Sequence, residues 1–305
     1  MKKHIQICAV LLCVLLCTAC GDNTAAPQTT DAVTTAEHTQ ATDETTIAVP
    51  DVTSEPTDAQ SEVTTTEATT EATTKATTAL NVLQYTPLGE KEIKNRMTQA
   101  KKDGTLCVVI DPGHGLVDPG AVHDENLGDV TESDITLAIA NKLAAVLEDR
   151  GYTVVLTHDG ETKPYTEYDD GKAVYGPSER CGFSNAQDAH LFISLHCDAY
   201  PQSADVSGTR IYYPVDTPNS TKYDKEIASA CKKALEKAFP DAKKVSLMDM
   251  HGEDCYTVIY KTVVPSILVE CGFITNKDDA AKLLDETWQQ SFADALANGV
   301  DTFFN

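Results

Sequence analysis

Hydrophobic positions fall into three regimes along the chain. Residues 5–16 are almost continuously apolar, residues 23–79 are polar nearly throughout, and from residue 88 onward short apolar runs alternate with helix-period stretches. Strand-length runs occur as LCVVID (106–111), TVVLTH (153–158), LFISLH (191–196), TRIYYP (209–214), YTVIYK (256–261) and SILVEC (266–271). Several of these lack any polar alternation, as expected of strands covered on both faces. Between them ESDITLAIANKLAAVLEDRG repeats with helical period: Ile135, Leu137, Ile139, Leu143, Val146 and Leu147 form an apolar face, and Gly151 stops it. Further helices are predicted over 178–188, 221–239 and 288–304, with a lead-in helix at 88–104. The alternation predicts an α/β fold: a central, mostly parallel sheet flanked by helices, in a single domain after a Thr-rich linker.

The two N-terminal regimes divide the rest of the chain. Lys2 and Lys3 precede the apolar stretch, which ends in LCTAC at Cys20. It is too short to span a bilayer comfortably, so 1–20 reads as a signal peptide, and the LCTAC ending resembles the lipobox of bacterial lipoproteins. Cys17 stands where such motifs usually carry Leu. Acylation at Cys20 would anchor the protein to the outer face of the membrane; cleavage as an ordinary secretory signal is the alternative. Residues 21–80, rich in Thr, Ala and Glu, contain no aromatic residue and too few apolar ones to offset the entropy of ordering, so a disordered tether is expected. A flexible coil of that length spans about 40–45 Å. Residues 81–103 lead in, and 104–305 form the folded domain.

Charge and cysteine content narrow the partners. The formal net charge is −23, which repels phosphate backbones and argues against nucleic acid. Of the ten cysteines, Cys8, Cys13, Cys17 and Cys20 lie in the signal. The other six show no paired spacing, and a domain of this size needs no covalent staples, so buried free thiols are expected.

Candidate chemistry gathers at strand ends, where open α/β sheets carry their sites. His114 follows the first strand within VVIDPGHGLVDPG, His196 closes LFISLH, Glu270 closes SILVE, and Glu132 opens the long helix after the His114 loop. Each also has a plainer reading: His114 as a turn residue, Glu132 as a favourable charge at a helix N-terminus, His196 as a buried strand-end histidine. Glu270 resists one, because a carboxylate directly after Ile267-Leu268-Val269 must be paired, protonated or bound to metal. Two histidines and a glutamate are a standard ligand set for catalytic zinc, with a further carboxylate as base. The irregular spacing decides nothing by itself.

Five segments in register, VVIDPGHGLVDPGAV, ESDITLAIANKLAAVLEDRGYTVVLTHD, SERCGFSNAQDAHLFISLHCDA, SGTRIYY and PSILVECGFITNKDDAAKLL, resemble the zinc-dependent N-acetylmuramoyl-L-alanine amidases of bacterial cell-wall turnover. The resemblance implies one Zn2+ held by His114, Glu132 and His196, a catalytic Glu270, and peptidoglycan as the substrate. It implies hydrolysis of the amide between N-acetylmuramic acid and L-alanine of the stem peptide, outside the cytoplasm. Two positions depart from the family pattern: Asp198, usually Asn, and His158, usually Arg. Arg180 matches a family arginine and reads as structural. Cys197 and Cys271 adjoin site residues, but strand alternation turns them to the opposite face. His123 is a loop residue near the metal, and the 159–176 loop either shapes or covers the groove. A monomer is expected. The competing functions are a zinc peptidase acting within the stem peptide and a non-catalytic wall-binding lipoprotein.

Overall fold

A computed structural model of the chain describes residues 86–115, 118–122, 126–160, 176–240 and 245–305. The signal-like and Thr-rich segments, His123 and most of the 159–176 loop lie outside the described residues.

Six strands form one sheet: β1 (Cys107–Pro112), β2 (Thr153–Leu156), β3 (Leu191–Asp198), β4 (Arg210–Val215), β5 (Ser246–His251) and β6 (Ser266–Phe273), in the order β2-β1-β3-β6-β4-β5. β2, β1, β3 and β6 run parallel; β4 lies antiparallel to β6 and parallel to β5. The mostly parallel sheet predicted from the uninterrupted apolar runs is therefore present. Every residue of β1 and β6 is buried, as those runs require.

Helices cover both faces. α1 (Glu90–Asp103) is the lead-in helix, with acidic residues in its first turn, Lys101 and Lys102 in its last, and left-handed Gly104 ending it. α2 (Glu132–Asp149) starts at a capping box in which Thr131 and Asp134 satisfy each other's backbone N–H groups. It buries Ile135, Ile139, Leu143 and Leu147, while Leu137 and Val146 are half-buried. α3 spans Pro177–Ala186, α4 Lys222–Ala238, α5 Thr257–Tyr260, α6 Lys277–Leu283 and α7 Glu286–Phe304. α2, α4 and α7 share one apolar layer with Ile193, Leu195, Ile267 and Val269. α3 and α5 cover the other, where Cys181, Val258 and Ile259 meet Phe192 and Leu268.

The pattern misassigned one element and missed two. YTVIYK was predicted as a strand, yet Thr257–Tyr260 is a single helical turn. Its adjacent Val258 and Ile259 are both buried in one cluster, which a helix turn allows and a strand, alternating its faces, does not. The fifth strand is instead SLMDMH (246–251), a half-exposed edge strand whose Asp249 and His251 weaken its apolar signal. α6 was also not anticipated, being short and polar.

The parallel run of β1, β3 and β6 brings three of the candidate positions to one edge. The loop after β1 carries His114, and His196 of β3 stands in register beside Glu270 of β6.

Candidate metal centre

His114, Glu132 and His196 converge at that edge, each offering a ligand atom, all within 4.8 Å of one another. His114 Nε2 lies 3.2 Å from Glu132 Oε1, and His196 Nδ1 lies 3.2 Å from the same oxygen. The imidazole centroids are 4.9 Å apart, with the rings nearly perpendicular. Bonds of roughly 2.0–2.2 Å in a tetrahedron put neighbouring ligand atoms about 3.3–3.6 Å apart, so this donor set fits a zinc-sized cation after small adjustments.

Local sequence explains how each donor is aimed. His114 adopts φ 63°, in the left-handed region. The Asp-Pro-Gly of residues 118–120 folds back beneath it, and Asp118 Oδ2 takes His114 Nδ1 at 2.8 Å. A carboxylate on one ring nitrogen leaves the other turned toward Glu132, the arrangement that usually supports a histidine able to bind a metal. Two glycines make room. A Cβ on Gly113 would enter the His196 ring, and one on Gly120 would approach Glu132 Oε2 and His114 Cδ2 to 2.7 Å. Glu132 is buried in the first turn of α2, where its Oε1 accepts from the Cys197 N–H and its Oε2 from the Ala121 N–H, both at 3.0 Å.

The electrostatics match a site built for a cation. Burial raises the Glu132 carboxyl, but the facing His114 and His196 outweigh it and hold the group below the usual carboxylate range. Burial lowers His114, while Glu132 and Asp118 outweigh it and raise the imidazole to about 9.

Glu270 stands beside this trio and is 8 % exposed. Its Oε2 is buried with no hydrogen-bond partner among the described residues. Burial first, then the charges of Asp198 and Glu132, push its carboxyl up to about 8. Asp198 accepts from Arg210 at 2.8 Å, and Arg210 is the antiparallel register partner of Glu270. Cys197 and Cys271 point into the opposite layer, are buried and free, and have thiols raised well above their ordinary range, chiefly by burial. The other four cysteines of the domain are likewise free and buried. His158 closes the back of the His114 loop: its Nε2 meets the Pro112 carbonyl at 2.8 Å and its Nδ1 accepts from the Gly160 N–H.

The structure thus brings together all four residues singled out from the sequence. Asp118 was missed. Its signal was the second Asp-Pro-Gly turn in VVIDPGHGLVDPG, four residues after the histidine.

A family model described as N-acetylmuramoyl-L-alanine amidase matches residues 108–302. The uncharacterised protein YqiI of Bacillus subtilis (strain 168) is 32% identical over 200 residues, covering 65% of this chain and 84% of its own length. The germination-specific N-acetylmuramoyl-L-alanine amidase of the same organism is 28% identical over 200 residues, covering 65% of this chain and 79% of its own. Among solved structures, the N-acetylmuramoyl-L-alanine amidase AmiC2 of Nostoc punctiforme superposes with a TM-score of 0.53 at 29% identity, over 65% of this chain and 96% of that one. With nearly all of the folded part matched, and with the strand-end cluster at its centre, the chain belongs to the N-acetylmuramoyl-L-alanine amidase family.

Proposed function

We propose that this amidase is a zinc enzyme that hydrolyses the amide joining the lactyl group of N-acetylmuramic acid to L-alanine of the peptidoglycan stem peptide. One observation carries the reading: a buried glutamate with an unsatisfied oxygen, Glu270, stands beside a His–Glu–His set whose donor atoms lie within 4.8 Å. His114, Glu132 and His196 hold the ion. Zinc bound there supplies Lewis-acid chemistry, acidifying water and polarising the scissile carbonyl.

The chain's own residues move the protons. Glu270 accepts a proton from the attacking water and delivers it to the alanine nitrogen as the C–N bond breaks. The carboxylate Glu132 offsets part of the ion's charge.

Residues 104–305 form the catalytic domain. Cys20, acylated, anchors the chain to the outer face of the membrane, and the Thr-rich segment joins that anchor to the domain as it works on the wall as a monomer. Two substitutions test the roles. Glu270→Gln retains zinc and loses turnover; full activity in that variant would remove Glu270 from the mechanism. His196→Ala loses both zinc, by metal analysis, and activity; wild-type zinc content would remove it from the ligand set. Zinc absent from wild-type protein purified without chelator would favour the wall-binding reading instead.

A further inference from the structure

Behind the metal centre lies a buried polar assembly that the proposed mechanism does not use. Asp111, at the end of β1, is wholly buried. It accepts from Thr157 Oγ1 at 2.6 Å, Ser194 Oγ at 2.7 Å and Arg180 Nη1 at 2.8 Å. Burial works against the ionised form, but the Arg180 charge and these donors outweigh it and keep the carboxyl below its ordinary range. Arg180 itself is 5 % exposed. Its Nη1 also donates to the Pro112 carbonyl at 2.7 Å, and its Nη2 donates to the His114 carbonyl. The carbonyl between those two, that of Gly113, accepts from Thr136 Oγ1 of α2 at 2.8 Å, and the Gly113 N–H donates to Leu195 of β3 at 2.7 Å.

Three successive carbonyls of the Pro112-Gly113-His114 turn are therefore held by side chains from two helices. The residue so held is a histidine at positive φ, a conformation unfavourable for an L-residue that persists only where its surroundings impose it. One of the two helices, α2, also carries Glu132, so Thr136 ties the His114 turn to the element bearing a second ligand.

We propose that Arg180 is a positioning residue of the metal centre, which together with Thr136 clamps the His114 turn and sets how tightly the site holds zinc. The guanidinium is suited to this as an ammonium is not: a planar fork reaches Asp111 and two carbonyls at once, whereas Lys presents one point of charge. The clamp needs no substrate contact and acts wholly through His114. It rests on the reading of His114 as a zinc ligand, so the test separates the two.

Zinc dissociation constants are measured by chelator competition on the full-length protein carrying Arg180→Lys, Thr136→Val, Thr136→Ser or His114→Ala, alongside the visible spectrum of each cobalt(II)-loaded form. Supporting residues of this kind typically alter metal affinity by about 10–100-fold. Arg180→Lys is expected to weaken zinc binding within that range and to change the cobalt(II) spectrum, which reports ligand geometry. Thr136→Val, isosteric but lacking the hydroxyl, weakens zinc binding in the same direction, while Thr136→Ser restores it to the wild-type value. If Arg180→Lys does not fold, the Thr136 pair decides. Wild-type affinity and spectrum in folded Arg180→Lys and in Thr136→Val would overturn the clamp while His114→Ala still loses zinc; retention of zinc by His114→Ala would instead overturn the ligand assignment.

Discussion

Single residues in the His114 loop are chosen by what they must avoid as much as by what they bind. Gly113 is a case where the sequence offers only a small residue before a histidine, and the structure supplies the reason: the space a Cβ would take is filled by the His196 imidazole. Gly113→Ala therefore drives a methyl into the His196 imidazole, ring nitrogens included, and pushes that proposed ligand off its aim while all three proposed ligand residues stay in place. Zinc affinity should fall by at least about tenfold, the lower bound typical when support of a ligand is lost. Chelator competition reads this directly, with Gly182→Ala as the control, since a Cβ there meets nothing within 4 Å. Equal affinities in the two variants would show that the loop accommodates the methyl. At this scale the sequence showed which residue types sit at strand ends, and the resemblance supplied their roles. It did not show Thr136 or Asp111, because a threonine inside a helix and an aspartate at a turn are ordinary in isolation. Only the fold reveals that one reaches the Gly113 carbonyl and the other anchors Arg180.

Helices and strands were legible in proportion to how strongly their burial repeated. α2 announced itself through Ile135, Ile139, Leu143 and Leu147, all of which face the core. β5 did not, because an edge strand buries little and its alternation was broken by polar residues. YTVIYK misled because β-branched and aromatic residues suit a strand, while tertiary packing beneath α3 set the outcome. Packing between helices also reverses an ordinary expectation at Gly299 in α7. In an exposed helix interior Gly→Ala stabilises by about 1 kcal/mol. Here a Cβ would come within 2.6 Å of the Cys231 Cα in α4, so the helices would have to separate. Gly299→Ala should destabilise the domain by about 1–3 kcal/mol, the usual cost of overpacking. Chemical denaturation gives the sign; a stabilised variant would mean that α4 and α7 are less closely fitted than described.

For the whole molecule, the sheet sorts its two ends by chemistry: the edge at the carboxyl ends of β1, β3 and β6 carries the candidate metal centre, and α1 packs at the opposite edge. Arg96 of α1 donates to Ala189 at 3.3 Å, and Lys101 to the Phe304 carbonyl at 3.1 Å. Near them His190 is buried, with Nδ1 accepting from the Cys107 N–H at 3.2 Å, and burial, then the Arg96 charge, lowers its pKa. A histidine whose folded pKa lies below its unfolded value of about 6.5 contributes stability that is complete above that pH and is lost as pH falls through the folded value. Chelator-treated domain should thus lose more melting temperature between about pH 7.5 and about pH 5 than His190→Gln, which does not titrate there; equal losses would place the charged imidazole at no disadvantage in the fold. The most direct measurement of the central claim is mass spectrometry of peptidoglycan digested by the purified full-length protein, with chelator and after zinc is restored. The account predicts intact stem peptides beginning at a free L-alanine amine, released only when the metal is present. Cuts within the stem peptide, or release that continues unchanged under chelation, would contradict it.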